Sequence, residues 1–165
     1  MDEPTIRPAT ASDRPALERF MAALQEFERP IEPNRRPGAE MAALHMDFLL
    51  SRVAEHPAAG VRIAEDASGP LGFILWHVET EAGCYVLPEN EVLGRITDLY
   101  IEARARGRGL GRRLIAAAEA HISAHGLTRM EIGAVAGNLD AIAAYEALGY
   151  VRSTVVLAKQ LVPRA

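Results

Sequence analysis

The sequence is poor in three features that would otherwise point to particular functions. It holds a single cysteine, Cys84, which excludes an internal disulfide and a cysteine-based zinc cluster. No apolar run approaches the roughly 20 residues that span a bilayer, and Met1–Pro4 is acidic where a secretory leader is basic. Basic residues are not in excess, since 18 Lys and Arg face 22 Asp and Glu, for a formal net charge of −4. We therefore expect a soluble, cytoplasmic protein that binds neither a membrane nor nucleic acid.

The chain nevertheless has ample material for a folded core. Apolar residues make up 49% of its 165 residues and charged residues 24%, unlike a disordered chain. A domain of this length buries roughly 70% of the surface that its unfolded chain exposes. We therefore expect residues 1–165 to form one domain that needs neither disulfides nor a metal.

Apolar periodicity and turn residues predict a mixed α/β sheet. The predicted order is an edge strand at 5–8, a helix capped by Ser12 or Asp13, a loop at about 28–38, a helix from Ala39 to before His56, a hairpin of 61–65 and 71–78, an ambiguous segment at 79–91, a strand at 92–101, a helix from Leu110 to Gly126, a strand at 129–135, a helix from Asn138 to Gly149, and terminal strand material at 151–161. The predicted inward-facing residues are Leu17, Phe20, Met21 and Leu24 on the first helix and Met41, Leu44, Phe48 and Val53 on the second. The helix between strands 92–101 and 129–135 predicts that these two strands are parallel.

The most informative segment is an arginine- and glycine-rich turn before the third helix. It reads Arg-Gly-Arg-Gly-Leu-Gly at residues 106–111, and five arginines and no acid lie between Arg104 and Arg113. Glycine lacks a Cβ, so successive backbone amides can converge on one anion. The helix N-terminus adds unpaired N–H groups and the positive end of the helix dipole. With charge from Arg106, Arg108, Arg112 and Arg113, the turn predicts a site for a diphosphate or a similar anion.

Other glycine-rich motifs fit this turn less well. A dinucleotide-binding fingerprint follows an N-terminal strand, whereas this turn lies after two predicted helices and a hairpin. A Walker A loop ends in Gly-Lys-Ser/Thr, which is absent. A single arginine–glycine copy between regular elements is weak support for an RNA-binding segment. The remaining alternative is a glycine-rich turn with solvated arginines and no ligand. It does not explain why the turn lies between a strand and a helix.

Two motifs together resemble the GCN5-related N-acetyltransferase (GNAT) family. The family's acyl-CoA motif, Arg/Gln-x-x-Gly-x-Gly/Ala, appears at 106–111. The motif Asn-x-x-Ala-x-x-x-Tyr-x-x-x-Gly-Phe/Tyr appears, at the family spacing, as Asn138, Ala141, Tyr145, Gly149 and Tyr150. The resemblance extends to residues 6–13 and 98–101, and so to nearly the whole chain. It implies the GNAT fold, a mixed and mostly antiparallel sheet with a parallel β-α-β core flanked by helices.

The resemblance implies direct transfer of an acetyl group from acetyl-CoA to an amine in a ternary complex, without a metal. It places the pyrophosphate on the backbone amides of Arg106, Gly107, Arg108, Gly109, Leu110, Gly111 and Arg112. It pairs the pantetheine arm with the backbone of Leu99, Tyr100 and Ile101. The N–H of Ile101 is then expected to polarise the thioester carbonyl.

Asn138 and Tyr145 lie seven residues apart and therefore share one face of the last helix. By resemblance, Asn138 contacts the pantetheine, and Tyr145 protonates or hydrogen-bonds the departing thiolate. The residues alone leave two other interpretations open. Asn is a favoured helix N-cap, and Tyr145 beside Ile142 also suits a core position with a satisfied hydroxyl.

Asp98 is the predicted contact for the acceptor amine, because it interrupts an otherwise apolar strand beside the thioester region. Strict alternation places it on one face with Ile96 and Tyr100, unless the strand contains a bulge. Some family members carry a glutamate nearer the start of this strand, where this chain has Arg95 and Ile96. The general base therefore stays open, with Glu91 and Glu102 as lesser candidates. An Asp bonded to a neighbouring amide is the alternative for Asp98.

The family's acceptor region carries several acids in this chain: Glu26, Glu28, Glu32, Glu79, Glu81 and Asp98. This acidity favours a cationic acceptor, although a solvated acidic surface is common. We expect a primary amine of a small molecule or protein as acceptor, and possible homodimers by analogy with relatives. His77 fits the border of the substrate cleft without an assigned role. The alternatives are a non-catalytic acyl-CoA-binding regulatory module and an RNA-binding protein that uses the arginine cluster.

Overall fold

The computed structural model describes residues 3–81 and 83–161. Its centre is a five-stranded sheet in the order β1-β2-β3-β4-β5. The strands are β1 (Thr5–Pro8), β2 (Gly60–Asp66), β3 (Gly69–Thr80), β4 (Val92–Ile101) and β5 (Met130–Ile132). β1 to β4 are antiparallel to one another, and β5 runs parallel to β4. The predicted mixed, mostly antiparallel sheet with a parallel β-α-β unit is confirmed.

Helices cover both faces of this sheet. They are α1 (Arg14–Glu28), α2 (Gly38–Ala54), α3 (Leu110–Ala124) and α4 (Leu139–Ala147). α1 and α2 pack on one face, against Phe73 and Leu75 of β3. α3 packs on the other face, against Ile74, Trp76 and Ile96. Every second residue of β3 therefore faces α1 and α2, and this alternation places His77 on the same face as Phe73 and Leu75.

Local sequence signals explain most of the element boundaries. Leu17, Phe20 and Met21 of α1 are buried, as their helical spacing predicts. α1 begins at Arg14, after Asp13, but the Asp13 carboxylate accepts hydrogen bonds from the Thr10 amide and the Arg7 guanidinium rather than from α1. Gly126 and Gly149 adopt left-handed φ values of 81° and 95° just after α3 and α4. Glycine is favoured at such C-terminal positions because it tolerates a positive φ.

The predicted inner face of α2 is only partly correct, because Met41 and Val53 pack against the core but Leu44 and Phe48 do not. Leu44 and Phe48 are 70% and 56% exposed, whereas Ala42, Met46 and Leu49 are buried. The physical reason lies at the start of the helix, where a Cβ on Gly38 would collide with the carbonyl oxygen of Ala22. This close approach of α2 to the backbone of α1 fixes the rotation of α2. It turns the stripe of Ala42, Met46 and Leu49 inward.

The predicted terminal strand is wrong. Residues 151–161 adopt no regular structure and are exposed along their whole length, and the described part of β5 is shorter than the predicted 129–135. Val155, Val156 and Leu157 favour strands, but a strand also needs a neighbour for its backbone hydrogen bonds. Within the described residues this segment lies against no sheet edge, so its propensity alone does not form a strand.

A β-bulge at Thr97 determines which way the end of β4 faces. Leu75 pairs with Asp98, whereas the next residue, Trp76, pairs with Ile96, so Thr97 is the extra residue. Ile96 therefore faces α3, whereas Asp98 shares the opposite face with Leu75. The expectation that Asp98 and Ile96 share a face is corrected. Tyr100 stays with Asp98, as alternation predicts.

β4 and β5 diverge immediately after the bulge. β5 pairs only with Gly94–Ile96, so among the described residues no strand pairs with this edge of β4 from Thr97 to Ile101. The open edge therefore lies where the turn before α3 begins. No described helix is long and apolar enough to cross a membrane.

Candidate active site

The turn before α3 has the backbone geometry of an anion site. Gly107 and Gly109 both have φ values of 73°, in the left-handed region that glycine tolerates. Gly109 immediately precedes α3, and no side chain caps the first amides of the helix. A Cβ at Gly107, Gly109 or Gly111 would meet no described atom within 4 Å. The space where side chains would lie on this turn is therefore open.

The arginines of the turn divide into two groups. Arg104 is paired with Glu102, and Arg113 is held by the carbonyl of Pro4 at 2.8 Å and by Glu3. Arg108 and Arg112 are exposed and make no ion pair with the residues that the structure describes. These two side chains remain available to an anion on the turn, whereas Arg113 points toward the start of the chain.

The end of β4 offers backbone groups at its open edge. The Glu102 amide donates to the carbonyl of Leu71 at 2.8 Å, which makes this a hydrogen-bonded pair. In an antiparallel ladder such pairs alternate, so the N–H and C=O groups of Leu99 and Ile101 point away from β3. Arg106 Nε donates to the Ile101 carbonyl at 3.0 Å, as this direction requires. The backbone of Leu99 and Ile101 therefore faces the gap that opens beside β5.

α4 carries the second motif. Asn138 is its N-cap, and the Asn138 side chain accepts a hydrogen bond from the Ala141 amide at 3.3 Å. The capping role that the sequence left open is therefore present. Tyr145 lies two turns further along and packs against the α3-side core. Burial, together with the negative charge of Glu28, raises the pKa of Tyr145 to about 12. Tyr145 is thus neutral at physiological pH and able to donate a hydrogen bond.

Asp98 is buried, with 8% of its surface exposed, and its Oδ2 atom has no hydrogen-bond partner among the described residues. Burial raises the pKa of its carboxyl group, while the Thr97 side chain and, more weakly, the nearby cation of Arg35 act against that rise. An unsatisfied buried carboxylate oxygen is costly and is uncommon in native structures. The alternative, an Asp bonded to a neighbouring backbone amide, is not observed for Oδ2 in the described part of the chain.

His77 lies beside Asp98 on the α1/α2 face, because it follows Phe73 and Leu75 in the alternation of β3. It is 5% exposed. Its Nε2 atom lies 2.7 Å from Glu79 Oε1, while its Nδ1 atom is buried without a partner in residues 3–81 and 83–161. The sequence pointed to this position without assigning it a role. The missed signal was a histidine at a core-facing position of a buried strand.

Glu79 belongs to a chain of ion pairs across the sheet. Its other oxygen accepts from Arg95 Nε at 2.6 Å, and Arg95 also contacts Glu131 at 2.9 Å. Burial opposes ionisation of Glu79, but hydrogen bonds from His77 and Arg95 hold its pKa below its ordinary value. Glu79 is therefore an ionised hydrogen-bond acceptor, fixed in place from β4.

The end of α1 and the following loop complete the site. Arg35 contacts Glu28 at 2.8 Å and donates to Gln25 Oε1 at 2.9 Å, while its Nε atom is buried without a described partner. Burial raises the pKa of Glu28, and Asp98 adds to this rise. The charge of Asp98 acts on Glu28, and the charge of Glu28 acts on Tyr145, so Glu28 lies near both residues. Sequence reasoning counted Glu28 only as part of an acidic surface and did not single out Arg35.

Most of the predicted acids are neutralised by arginine. The pairs are Glu26 with Arg29, Glu28 with Arg35, Glu79 with Arg95, and Glu81 with Arg129. Asp98 has no ion pair among the described residues. Glu102, a lesser base candidate, is held by Arg19 and Arg104. Of the six predicted acids, only Glu32 and Asp98 have no ion pair among the described residues, and Asp98 is the buried one of the two.

Comparisons with known proteins agree with this architecture. A mycothiol acetyltransferase from Thermobispora bispora is 30% identical, with 77% of this chain and 47% of the relative covered. The chain spans about half the length of the curated relatives that it matches. A GCN5-related N-acetyltransferase from Ralstonia eutropha JMP134 has a similar fold, with a TM-score of 0.75, 24% identity and 96% and 99% of the two chains covered. An aminoglycoside N-acetyltransferase in complex with CoA gives a TM-score of 0.70 at 14% identity, with 96% and 95% covered.

The family assignment follows from a match over most of the chain. The sequence model of the acetyltransferase (GNAT) family matches residues 21–150, which include the turn, the end of β4, Asp98 and Tyr145. The predicted resemblance is thereby confirmed. This chain belongs to the GNAT family of acetyltransferases.

Proposed function

We propose that this protein transfers an acetyl group from acetyl-CoA to a primary amine in a ternary complex. The observation that supports this most is the position of two unlike sites on one open strand edge. The arginine–glycine turn at 106–111 follows β4 after one short helical turn, and Asp98, whose Oδ2 atom has no partner among the described residues, lies three residues before the end of β4. Three residues of a strand span roughly 10 Å. An acyl donor on the turn and an amine at Asp98 would therefore meet beside Leu99–Ile101.

The residues present fit acetyl-CoA. The uncapped amides at the start of α3, with Arg108 and Arg112 exposed nearby, suit its pyrophosphate. The backbone groups of Leu99 and the N–H of Ile101 suit pairing with the amides of a pantetheine arm, whereas the Ile101 carbonyl accepts a hydrogen bond from Arg106 Nε. Acetyl-CoA supplies a thioester, whose acyl carbon is open to attack by an amine. The Ile101 N–H can hydrogen-bond the acyl oxygen and stabilise the negative charge that develops there.

Tyr145 is proposed to donate a hydrogen bond to the departing sulfur. A thiol has an ordinary pKa of about 8.5, while the pKa of Tyr145 is about 12. Full proton transfer from Tyr145 to a thiolate is therefore uphill. A neutral phenol that keeps its proton and donates a hydrogen bond stabilises the thiolate without this cost. Asn138 retains its side-chain N–H groups for the pantetheine, because only its oxygen caps α4.

The acceptor is proposed to be an amine on a small molecule or protein, held beside Asp98. Four of the neighbouring acids are compensated by arginines, so we propose that one amine rather than a polycation is recognised at this point. The curated relatives are named as acetyltransferases, in keeping with an active enzyme rather than a non-catalytic module. A homodimer remains a proposal that follows from the resemblance, and a cytoplasmic location one that follows from the composition of the sequence.

The test is CoA release by the purified chain with acetyl-CoA and a panel of amines. The panel contains methylamine, ethanolamine, benzylamine and spermidine, with acetate and glutarate as anionic controls. We expect thiol release that depends on the amine, together with an acetylated amine detected by mass spectrometry. Binding of CoA by calorimetry without release by any amine would instead support the regulatory module. Absence of CoA binding would contradict both functions.

A further inference from the structure

The strongest unexplained feature outside the family motifs is a pair of buried acceptor atoms on the α1/α2 face. Asp98 Oδ2 and His77 Nδ1 are both buried and both lack partners among the described residues. The two residues lie on neighbouring strands, since Asp98 pairs with Leu75 and His77 follows Leu75 on the same face. No described donor satisfies either atom. A ligand group with two N–H bonds on one nitrogen would donate one hydrogen bond to each of these two atoms.

The hydrogen-bond chain behind His77 determines which ring nitrogen is free. Glu79 is ionised and can only accept, so the hydrogen of the neutral ring lies on Nε2. Nδ1 then carries a lone pair that points into the site. Glu79 is fixed by Arg95, and Arg95 by Glu131, so the ring orientation is held from β4 and β5. An imidazole whose far nitrogen donates to a fixed carboxylate is the arrangement that makes histidine an effective base.

We propose that Asp98 and His77 together bind the acceptor's primary amine and that His77 removes its proton. This inference rests on the proposed acetyl transfer. The neutral amine has two N–H groups, of which one donates to Asp98 Oδ2 and the other to His77 Nδ1. The amine nitrogen bonds to the acyl carbon, and the carbon–sulfur bond breaks with its electron pair left on sulfur. The proton moves from nitrogen to His77 Nδ1, and Glu79 stabilises the resulting imidazolium.

Two isosteric substitutions separate binding from proton removal. In His77→Asn, the amide oxygen lies where Nδ1 was, so it still accepts a hydrogen bond but takes no proton. In His77→Gln, the amide N–H replaces Nε2–H toward Glu79, and no acceptor remains at Nδ1. We expect kcat to fall about 100-fold in both variants, a typical loss of a general base. The KM for the amine should stay within twofold in His77→Asn but rise roughly two- to tenfold in His77→Gln.

The kinetics use the amine that gives the highest wild-type turnover in the panel. His121→Asn is the matched control, because the His121 ring packs against Trp76 and contacts the Pro57 carbonyl on the α3 side, outside the site. Its kcat should equal that of wild type. Imidazole added to His77→Ala should restore turnover, and it should not do so for Tyr145→Phe. A wild-type kcat in His77→Asn, or a rise in KM alone in both variants, overturns the proposal.

A measurement without an acceptor keeps this inference separate from the proposed function. Nitrogen-15 spectra of the imidazole rings, with His77 assigned from the His77→Gln variant, should show hydrogen on Nε2 and a free Nδ1. Hydrogen on Nδ1 overturns the inference even if the enzyme acetylates amines. If the wild type binds CoA but acetylates no amine, the proposed function fails, and the base role of His77 fails with it. If turnover is normal in both variants, only the inference fails.

Discussion

The proposed donor side and the proposed acceptor side of this site are made of different parts of the chain. The donor side is backbone, formed by the amides of the turn at 106–112 and the edge groups of Leu99 and Ile101. The acceptor side is side chain, formed by His77, Asp98 and their supporting ion pairs. Backbone groups suit a donor that carries the same diphosphate and amide arm in every reaction. Side chains suit an acceptor, because they can be changed without altering the fold.

This contrast can be tested by substituting residues on each side and measuring both CoA affinity and the KM for the acceptor. A change on the donor side should weaken CoA binding and leave the acceptor KM unaltered. A change on the acceptor side should do the reverse. Any variant that alters both to the same degree would show that the two sides are energetically coupled.

The largest effect is expected for Gly109→Val. Valine is strained at a φ of 73°, so the backbone of the turn, and with it the direction of its amides, should change. Two lost hydrogen bonds to a charged group cost roughly 3 kcal/mol or more, so we expect CoA affinity to fall at least about 100-fold by calorimetry.

Gly126→Val is the matched control for this variant. Gly126 has a φ of 81° and equally open space, but it lies at the other end of α3. It should lower the melting temperature to a similar extent while leaving CoA affinity within twofold. Equal losses of affinity in the two variants would mean that backbone strain alone, rather than the turn, weakens binding.

The donor side was predictable because its signals are local. Left-handed glycines and a strand–turn–helix order lie within a dozen residues, and the backbone conformation follows from residue type. The same holds for β4, whose predicted bounds match the structure. The acceptor side was only partly predictable, because His77 and Arg35 come from distant segments. The face of Asp98 depends on the bulge at Thr97, which strict alternation does not reveal.

The next largest effect is expected for Asp98→Asn. The change keeps the shape of the side chain but removes a charged acceptor, and hydrogen bonds to charged groups contribute roughly 1.5–3 kcal/mol. We expect kcat/KM for the amine to fall about 50-fold, which is within this range, while CoA affinity stays within twofold. A loss of CoA affinity instead would place Asp98 on the donor side.

The effect of Asp98→Asn on the melting temperature should depend on pH. The folded-state pKa of Asp98 is raised, so the folded protein holds this proton more tightly than the unfolded chain does. The protonated Asp98 carboxyl group therefore adds to the stability of the fold below the pKa that it has in the unfolded chain. This contribution is lost as pH rises through the pKa that it has in the folded protein. Asp98→Asn should have a higher melting temperature than wild type at neutral pH, and the difference should disappear in acid. A lower melting temperature at neutral pH would mean that the carboxylate is satisfied.

Tyr145→Phe should lower turnover at least tenfold. The variant removes only the hydroxyl, so packing against the α3-side core and CoA affinity should survive. Because the pKa of Tyr145 is about 12, the wild-type phenol stays protonated through the assay range. The loss should therefore be independent of pH between about 6 and 9, well below that pKa. Wild-type turnover in the variant excludes a role in thiolate departure.

The smallest effects on CoA affinity are expected for alanine substitutions of the arginines of the turn, and these effects should differ between the arginines. Arg108 and Arg112 are exposed and unpaired within the described residues, whereas Arg113 is held by Pro4 and Glu3. Exposed ion pairs contribute about 0.2–1 kcal/mol, so Arg108→Ala and Arg112→Ala should each weaken CoA binding by at most about fivefold. Salt should reduce that difference. Arg113→Ala should leave CoA affinity unchanged, because its guanidinium stabilises the start of the chain rather than the anion site. An equal loss in all three variants would show that the turn acts through its net charge, and the division between backbone and side-chain recognition would then no longer describe the donor side.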